Sequence, residues 1–75
     1  MSMTLLSELK IGKTAVISSY TENKPRLVEM GIVPGAQLRM IKKIPFGGPS
    51  EIKVRDYYVS IRRADAEKIQ LLEST

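Results

Sequence analysis

The stretch Glu51-Ile52-Lys53-Val54-Arg55-Asp56-Tyr57-Tyr58-Val59-Ser60-Ile61-Arg62 decides the fold class. Ile52 and Val54 alternate with Glu51, Lys53 and Arg55; Val59 and Ile61 alternate with Tyr58, Ser60 and Arg62. A period of two puts apolar side chains on one face of a strand and polar ones on the other. Asp56-Tyr57 between the two runs reads as a tight hairpin.

Upstream, Pro45-Phe46-Gly47-Gly48-Pro49 is a loop by composition. Residues 37–44 form the longest strand candidate. Leu38, Met40 and Ile44 share one parity, but Lys42 shares it too and Ile41 breaks it. A bulge near Ile41 repairs the pattern and bends the strand as a small barrel requires. Pro34-Gly35 is a type II turn signal, since Pro presets φ and Gly accepts the positive φ that follows. Before it lies the best helix candidate. Asn23 is placed to cap it, Pro25 suits its first turn, and Leu27 and Met30, with Val28 beside them, make its apolar stripe. Glu29, Lys24 and Arg26 lie off that stripe. Gly31 supplies the positive-φ stop.

Thr14-Ala15-Val16-Ile17-Ser18-Ser19-Tyr20 is rich in β-branched residues and reads as a strand, after a turn at Ile11-Gly12-Lys13. Leu5-Leu6-Ser7-Glu8-Leu9 is an apolar lead-in. At the other end, Ala64-Asp65-Ala66-Glu67 makes a single helical turn and Ile69-Gln70-Leu71 a closing strand. Five short strands without regular helical crossovers predict an antiparallel all-β fold with one or two short helices. Closing them into a small barrel removes exposed edges.

Composition bounds the function. The chain has 75 residues, the size of one domain over residues 1–75. It contains no Cys and no His. Those two zeros exclude a disulfide framework, a tetrahedral zinc site of Cys and His, a His general base and a Cys nucleophile. Gly47-Gly48 is followed by Pro49, which has no N–H to give a phosphate, so it is no P-loop. An enzyme is therefore disfavoured and no cofactor is expected. Isolated carboxylates such as Glu22, Glu29 and Glu51 would hold a metal weakly and transiently at most. No apolar run approaches the ~18–20 residues of a membrane span. Residues 1–9 lack the basic and long apolar regions of a signal peptide. The expected location is cytoplasmic. The net charge of +4 suits an acidic partner, an anionic membrane face or nucleic acid.

Three segments stand together in order: Arg26-Leu27-Val28-Glu29-Met30-Gly31-Ile32-Val33-Pro34-Gly35, Pro45-Phe46-Gly47-Gly48-Pro49-Ser50-Glu51-Ile52-Lys53-Val54, and Ser60-Ile61-Arg62-Arg63-Ala64-Asp65-Ala66-Glu67-Lys68-Ile69. Their spacing closely resembles the FeoA family, the small cytosolic proteins of bacterial ferrous iron uptake. The resemblance runs from about Leu5 to Leu71. It implies an SH3-like barrel with the helix inserted after the first long strand. It also implies a partner, the FeoB-type ferrous iron transporter with its cytosolic GTP-binding domain, which would bring the chain to the inner face of the cytoplasmic membrane. The same barrel ends iron-dependent repressors, but those need a DNA-binding domain for which 75 residues leave no room. Against the family pattern, Asp56-Tyr57 replaces a common Gly and Ser50 a frequent apolar residue, both read here as surface-turn positions.

The expected task is therefore to bind and regulate a partner that handles the ion, as a monomer or weak oligomer. The partner-binding candidates are the Pro45, Phe46, Gly47, Gly48 and Pro49 loop together with Pro34 and Gly35, and a basic stripe of Lys53, Arg55 and Arg62 extended by Arg39 and Lys43. The Phe46 ring either folds over a barrel end or stands free as an aromatic anchor. The rival reading is a small basic barrel that binds nucleic acid or another protein. Base stacking wants exposed aromatics, and aromatics make up only 5% of the chain. Tyr57 and Tyr58 are adjacent, so at most one faces outward on a regular strand. The same scarcity argues against a conventional Pro-rich peptide groove and against stable nucleic-acid binding.

Overall fold

The computed structural model describes residues 2–20 and 25–73. They form β1 (Ser2–Leu5), a 3-10 turn (Leu6–Glu8), β2 (Thr14–Tyr20), α1 (Pro25–Glu29), β3 (Gln37–Lys43), β4 (Ser50–Val54), β5 (Tyr57–Ile61), α2 (Arg63–Ala66) and β6 (Ile69–Glu73). The strands make one sheet in the order β1-β6-β2-β3-β4-β5, with every neighbouring pair antiparallel. The class is the one that the alternation predicts. The strand count is six, not five.

The extra strand is β1. Ser2 to Leu5 pairs residue for residue with Glu73 to Gln70 of β6. Four residues carry too little periodicity to announce a strand, so the neighbour supplies the pairing. The rest of the lead-in then turns inward. Leu6 and Leu9 are fully buried beneath the sheet.

Strands β2 to β6 each send alternate side chains to one core: Ala15 and Ile17, Leu38 and Met40, Ile52 and Val54, Val59 and Ile61, Ile69 and Leu71. Short elements cover its ends with Leu27 and Ile32 from α1 and its exit, and Ala66 from α2. Isolated helices of four or five residues are unstable in water, so docking on the core is what holds them. Leu27 behaves as expected and Met30 packs partly buried against the core, but Val28 is half exposed and belongs to no stripe. The proposed Asn23 cap, with Glu22 and Lys24, lies outside the described residues.

Two registers slip. Met40 pairs with Ile52 and Lys42 with Glu51, leaving Ile41 as the extra residue, where the broken parity predicts a bulge. A second slip between Ile17 and Ser19 leaves Ser18 over, and nothing in the run of β-branched residues signals it. The turns follow their glycines. The Ala36 N–H donates to the Val33 carbonyl, with Gly35 at φ 93°, as a type II turn requires. Gly31 at φ 82° ends α1. Above it, the Tyr57 hydroxyl donates to the Met30 carbonyl, tying edge strand β5 to the helix exit.

The hairpin turn is displaced by one residue from its expected place. Val54 pairs with Tyr57, so the two-residue turn is Arg55-Asp56 and not Asp56-Tyr57. Ser50 is not in a surface turn: it is buried in β4 between Lys43 and Ile61.

Two stability predictions follow from these contacts. A β-carbon on Gly31 would run into the Tyr57 hydroxyl and would also occupy a left-handed backbone. Gly31→Ala is expected to cost at least ~1 kcal/mol, and less in a Tyr57→Phe background, in a double-mutant cycle by urea unfolding. The Tyr20 hydroxyl is buried without a hydrogen-bond partner among the described residues. Tyr20→Phe should stabilise the fold by ~1 kcal/mol in thermal melts, because an orphaned buried hydroxyl costs desolvation with nothing returned. Burial raises the Tyr20 pKa above its ordinary 10.0. A raised pKa means its contribution is intact below pH 10 and is lost as pH rises through the folded value. The alkaline loss should therefore be smaller in Tyr20→Phe.

Candidate functional site: the β3–β4 loop and the basic outer face

The β3–β4 connection spans residues 44–49 and is closed at its base by the Ile44 N–H donating to the Pro49 carbonyl at 3.1 Å. Within it the Gly48 N–H donates to the Pro45 carbonyl at 3.4 Å. The central residues Phe46 and Gly47 have φ 61° and 80°, the pair of positive values that marks a type I′ turn. Such turns favour Asn-Gly, and a bulky side chain at positive φ is strained. Phe46 is nevertheless there, and its exposure is 103% of the reference value. The ring does not fold over the barrel end; it stands free in solvent. Gly48 cannot carry a side chain, because a β-carbon would meet the Ile44 side chain at 2.5 Å.

Behind Phe46 is an open groove of about 500 Å³ between this loop, the 3-10 turn and α2. Leu5, Ile44 and Ala66 give it apolar wall, and Glu8, Arg63 and Glu67 give it a charged rim. Lys43 closes one side by donating from Nζ to the Ser7 carbonyl at 3.1 Å. Arg63 and Glu67 pair at 3.7 Å across one turn of chain. Ile44, half exposed, adjoins Phe46 on the open side.

The structure separates what the sequence reading joined. Pro34 and Gly35 precede β3, whereas residues 45–49 follow it. A seven-residue strand puts ~20 Å between them, so the turn and the loop do not form one edge. The basic stripe is also rearranged. Lys53 lies on β4 and faces outward beside Arg39 of β3, in register. Arg55 is not a strand residue but the first residue of the hairpin turn, at φ 56°. It still borders the cleft that Arg39, Lys53, Thr14 and Gln37 line. Arg62 lies beyond the far end of β5, where it precedes α2 and sits 4.0 Å from Asp65. Lys43 does not extend the stripe. The bulge at Ile41 turns Lys43 toward the groove and puts Lys42 outward in its place. Tyr58 is the outward tyrosine, with the Lys53 Nζ 5.8 Å from its ring centre. Tyr57 has the core-facing parity and is 41% exposed at the strand end.

No group of three or more Asp and Glu side chains clusters as a metal site among the described residues. Among them, too, no helix is long and apolar enough to cross a membrane.

The architecture defines a small SH3-type β domain that presents a strained aromatic loop at one end and a basic sheet face. The family model for the FeoA domain matches residues 4–72, and this chain belongs to that family. A Porphyromonas gingivalis protein that fuses Fe(2+) transport protein A to the Fe(2+) transporter FeoB is 38% identical over 69 residues, which is 88% of this chain and 8% of the fusion's own length. A crystal structure of an iron uptake regulatory protein, FeoA, superposes with a TM-score of 0.90 at 24% identity, covering 99% of this chain and all of that one. A zinc-complexed FeoA from Stenotrophomonas maltophilia, described as a prokaryotic SH3 domain protein, gives a TM-score of 0.77 at 29% identity, covering 91% of this chain and 88% of that one. The SH3-like fold and the association of this family with ferrous iron transport are thereby fixed.

The loop makes a prediction independent of any partner. Phe46→Asn places Asn-Gly at the centre of the I′ turn and removes a left-handed aromatic residue. It is expected to raise stability by ~1 kcal/mol, read as an increase in Tm or urea midpoint.

Proposed function

We propose that this chain is a non-catalytic accessory protein of bacterial ferrous iron uptake. It binds the cytosolic side of a FeoB-type GTP-binding iron transporter and adjusts the transport cycle there. The observation that carries this reading is Phe46: fully exposed, at φ 61°, on a loop flanked by two prolines. The fold gains nothing from an aromatic ring at that position and bears backbone strain for it. Local strain of this kind gathers at functional sites. A rigid aromatic beside an apolar groove is the kind of anchor that dominates interface energy, and the prolines limit the entropy lost on docking.

The choice of partner is supported by the relative in which an FeoA segment and FeoB share one polypeptide. Fusion keeps two modules at high effective concentration, as a working contact between them would use. The absence of His and Cys from the whole chain removes the imidazole and thiolate ligands of iron sites, the His general base and the Cys nucleophile, which favours a regulator over a carrier or a catalyst.

The test is a calorimetric titration of this protein into the cytosolic GTP-binding domain of its transporter, with and without guanine nucleotide. Saturable binding is expected. Phe46→Asn should weaken it at least ~10-fold although the variant is the more stable protein, which separates recognition from folding. Unchanged affinity in that variant removes the loop from the interface. No heat in any nucleotide state removes this domain as the partner.

A further inference from the structure

The outer face of the sheet is independent of the loop. Thr14, Arg39, Lys53 and Tyr58 stand opposite one another on β2, β3, β4 and β5, forming one row across four strands. At a strand spacing of ~4.8 Å that row is ~14 Å long. Lys42 lies further along β3 on the same face, and Arg55 lies beyond the other side of the row in the hairpin turn. Among the described residues, no ion pair engages Arg39, Lys42, Lys53 or Arg55. The nearby carboxylates are Glu51, opposite Lys42, and Asp56, beside Arg55 in the turn. Four cations therefore face two acids.

An apolar row adjoins them. Val16 follows Thr14 on the same face of β2, next to Gln37 of β3. On its other side Val16 pairs with Leu72 of β6, and Leu72 pairs with Met3 of β1. Met3 is 56% exposed, and Val16 and Leu72 are half-buried. Between the rows, Arg39, Lys53 and Arg55 border a shallow cleft of about 410 Å³ with Thr14 and Gln37. Arg39 Nε donates to the Gly12 carbonyl at 3.2 Å, which leaves its charge without an acidic partner. The face thus combines cations not neutralised by ion pairs among the described residues, a small polar cleft and a strip of aliphatic side chains.

We infer that this face docks on the surface of an anionic phospholipid bilayer. Charge complementarity selects an anion, and a phosphate fits the chemistry of Arg39, Lys53 and Thr14. A single free phosphate would leave Lys42, Tyr58 and the aliphatic row without a role, whereas a plane of headgroups above acyl chains uses them all. Lys and Arg stems reach past apolar surface to headgroups, and Tyr suits the interface with its apolar ring and polar tip. Nucleic acid fits less well, because the face offers one exposed aromatic, Tyr58, and not a series for stacking. A buried protein interface fits less well too, because Lys is depleted there.

The experiment is sedimentation of the full chain with vesicles, needing no transporter, so its outcome is separate from that of the loop. Binding is expected to vesicles of phosphatidylglycerol and phosphatidylcholine in equal parts, not to phosphatidylcholine alone, and to fade as salt rises. Each cation removed should lower partitioning about five-fold, so Arg39→Gln with Lys53→Gln lowers it about 25-fold. Met3→Ser should lower it further. Arg26→Gln, the same charge change as either single substitution but on exposed α1, should leave it unaltered. Circular dichroism melts verify that each variant is folded. Equal binding to both vesicle types, or a double variant that binds like the parent, overturns the inference. Displacement from vesicles by inorganic phosphate alone would reassign the cleft to a free anion. Tighter binding of a single-stranded oligonucleotide at the same salt would reassign the face to nucleic acid.

Discussion

One unpaired residue, Ile41, sets the direction of everything after the middle of β3. A strand has a side-chain period of two, so inserting a single residue inverts the facing of all that follow. Before the bulge, Leu38 and Met40 enter the core and Arg39 leaves it. After it, Lys42 points outward and Lys43 inward, where its ammonium reaches the Ser7 carbonyl. Without the bulge, Lys42 would be driven under the sheet, and a lysine buried without a partner is among the costliest placements available. Bulges bend the strands that carry them, and the loop that follows β3 lines a groove together with the 3-10 turn and α2.

The same constraint explains how so small a chain can carry two exposed surfaces. With no disulfide available, stability must come from one apolar core, and nearly every inward strand position is spent on it. Polar and charged residues are thereby confined to the outer face and the turns. On β2 to β5 that confinement gathers cations into a row by register, with no carboxylate paired to them among the described residues. At the turns it concentrates backbone strain in two non-glycine residues, Phe46 and Arg55, both at left-handed φ. Arg55 permits a two-residue hairpin. At Phe46 the same left-handed φ closes the I′ turn of the β3–β4 loop, but the aromatic ring, fully exposed, adds nothing to that closure.

Most of the architecture was legible because it rests on local rules. The alternation in residues 51–62, the β-branched run of β2, the type II turn at Pro34-Gly35, the stop at Gly31 and the parity break at Ile41 each carry their own signal. What escaped was decided by neighbours. β1 is a strand because β6 offers an edge, and Ser18 bulges in the long-range pairing of β2 with β6, past the point where β3 pairs with β2. The hairpin turn moved by one residue because Val54 pairs with Tyr57, which placed Arg55 outside the strand that its parity suggested. Lys43 left the basic stripe because the consequence of the bulge reaches past the residue that causes it. The Phe46 ring could not be placed from composition at all. Its exposure depends on the φ values of a I′ turn that the sequence Pro-Phe-Gly-Gly does not advertise.

The placement of the two surfaces also bears on why they would belong to one domain. The loop follows β3 and the basic row crosses it, so one strand joins the two surfaces. A domain held at a bilayer by about four cations binds it weakly, since each contributes ~1 kcal/mol near the surface. Weak attachment to a plane nonetheless confines diffusion to the layer where a transporter's cytosolic parts are found. Each contact then raises the effective concentration for the other without any further interaction. On the proposed reading neither surface needs to be strong alone, and a regulator that was to be released from a transporter would be better served by two weak contacts on one domain than by one tight one.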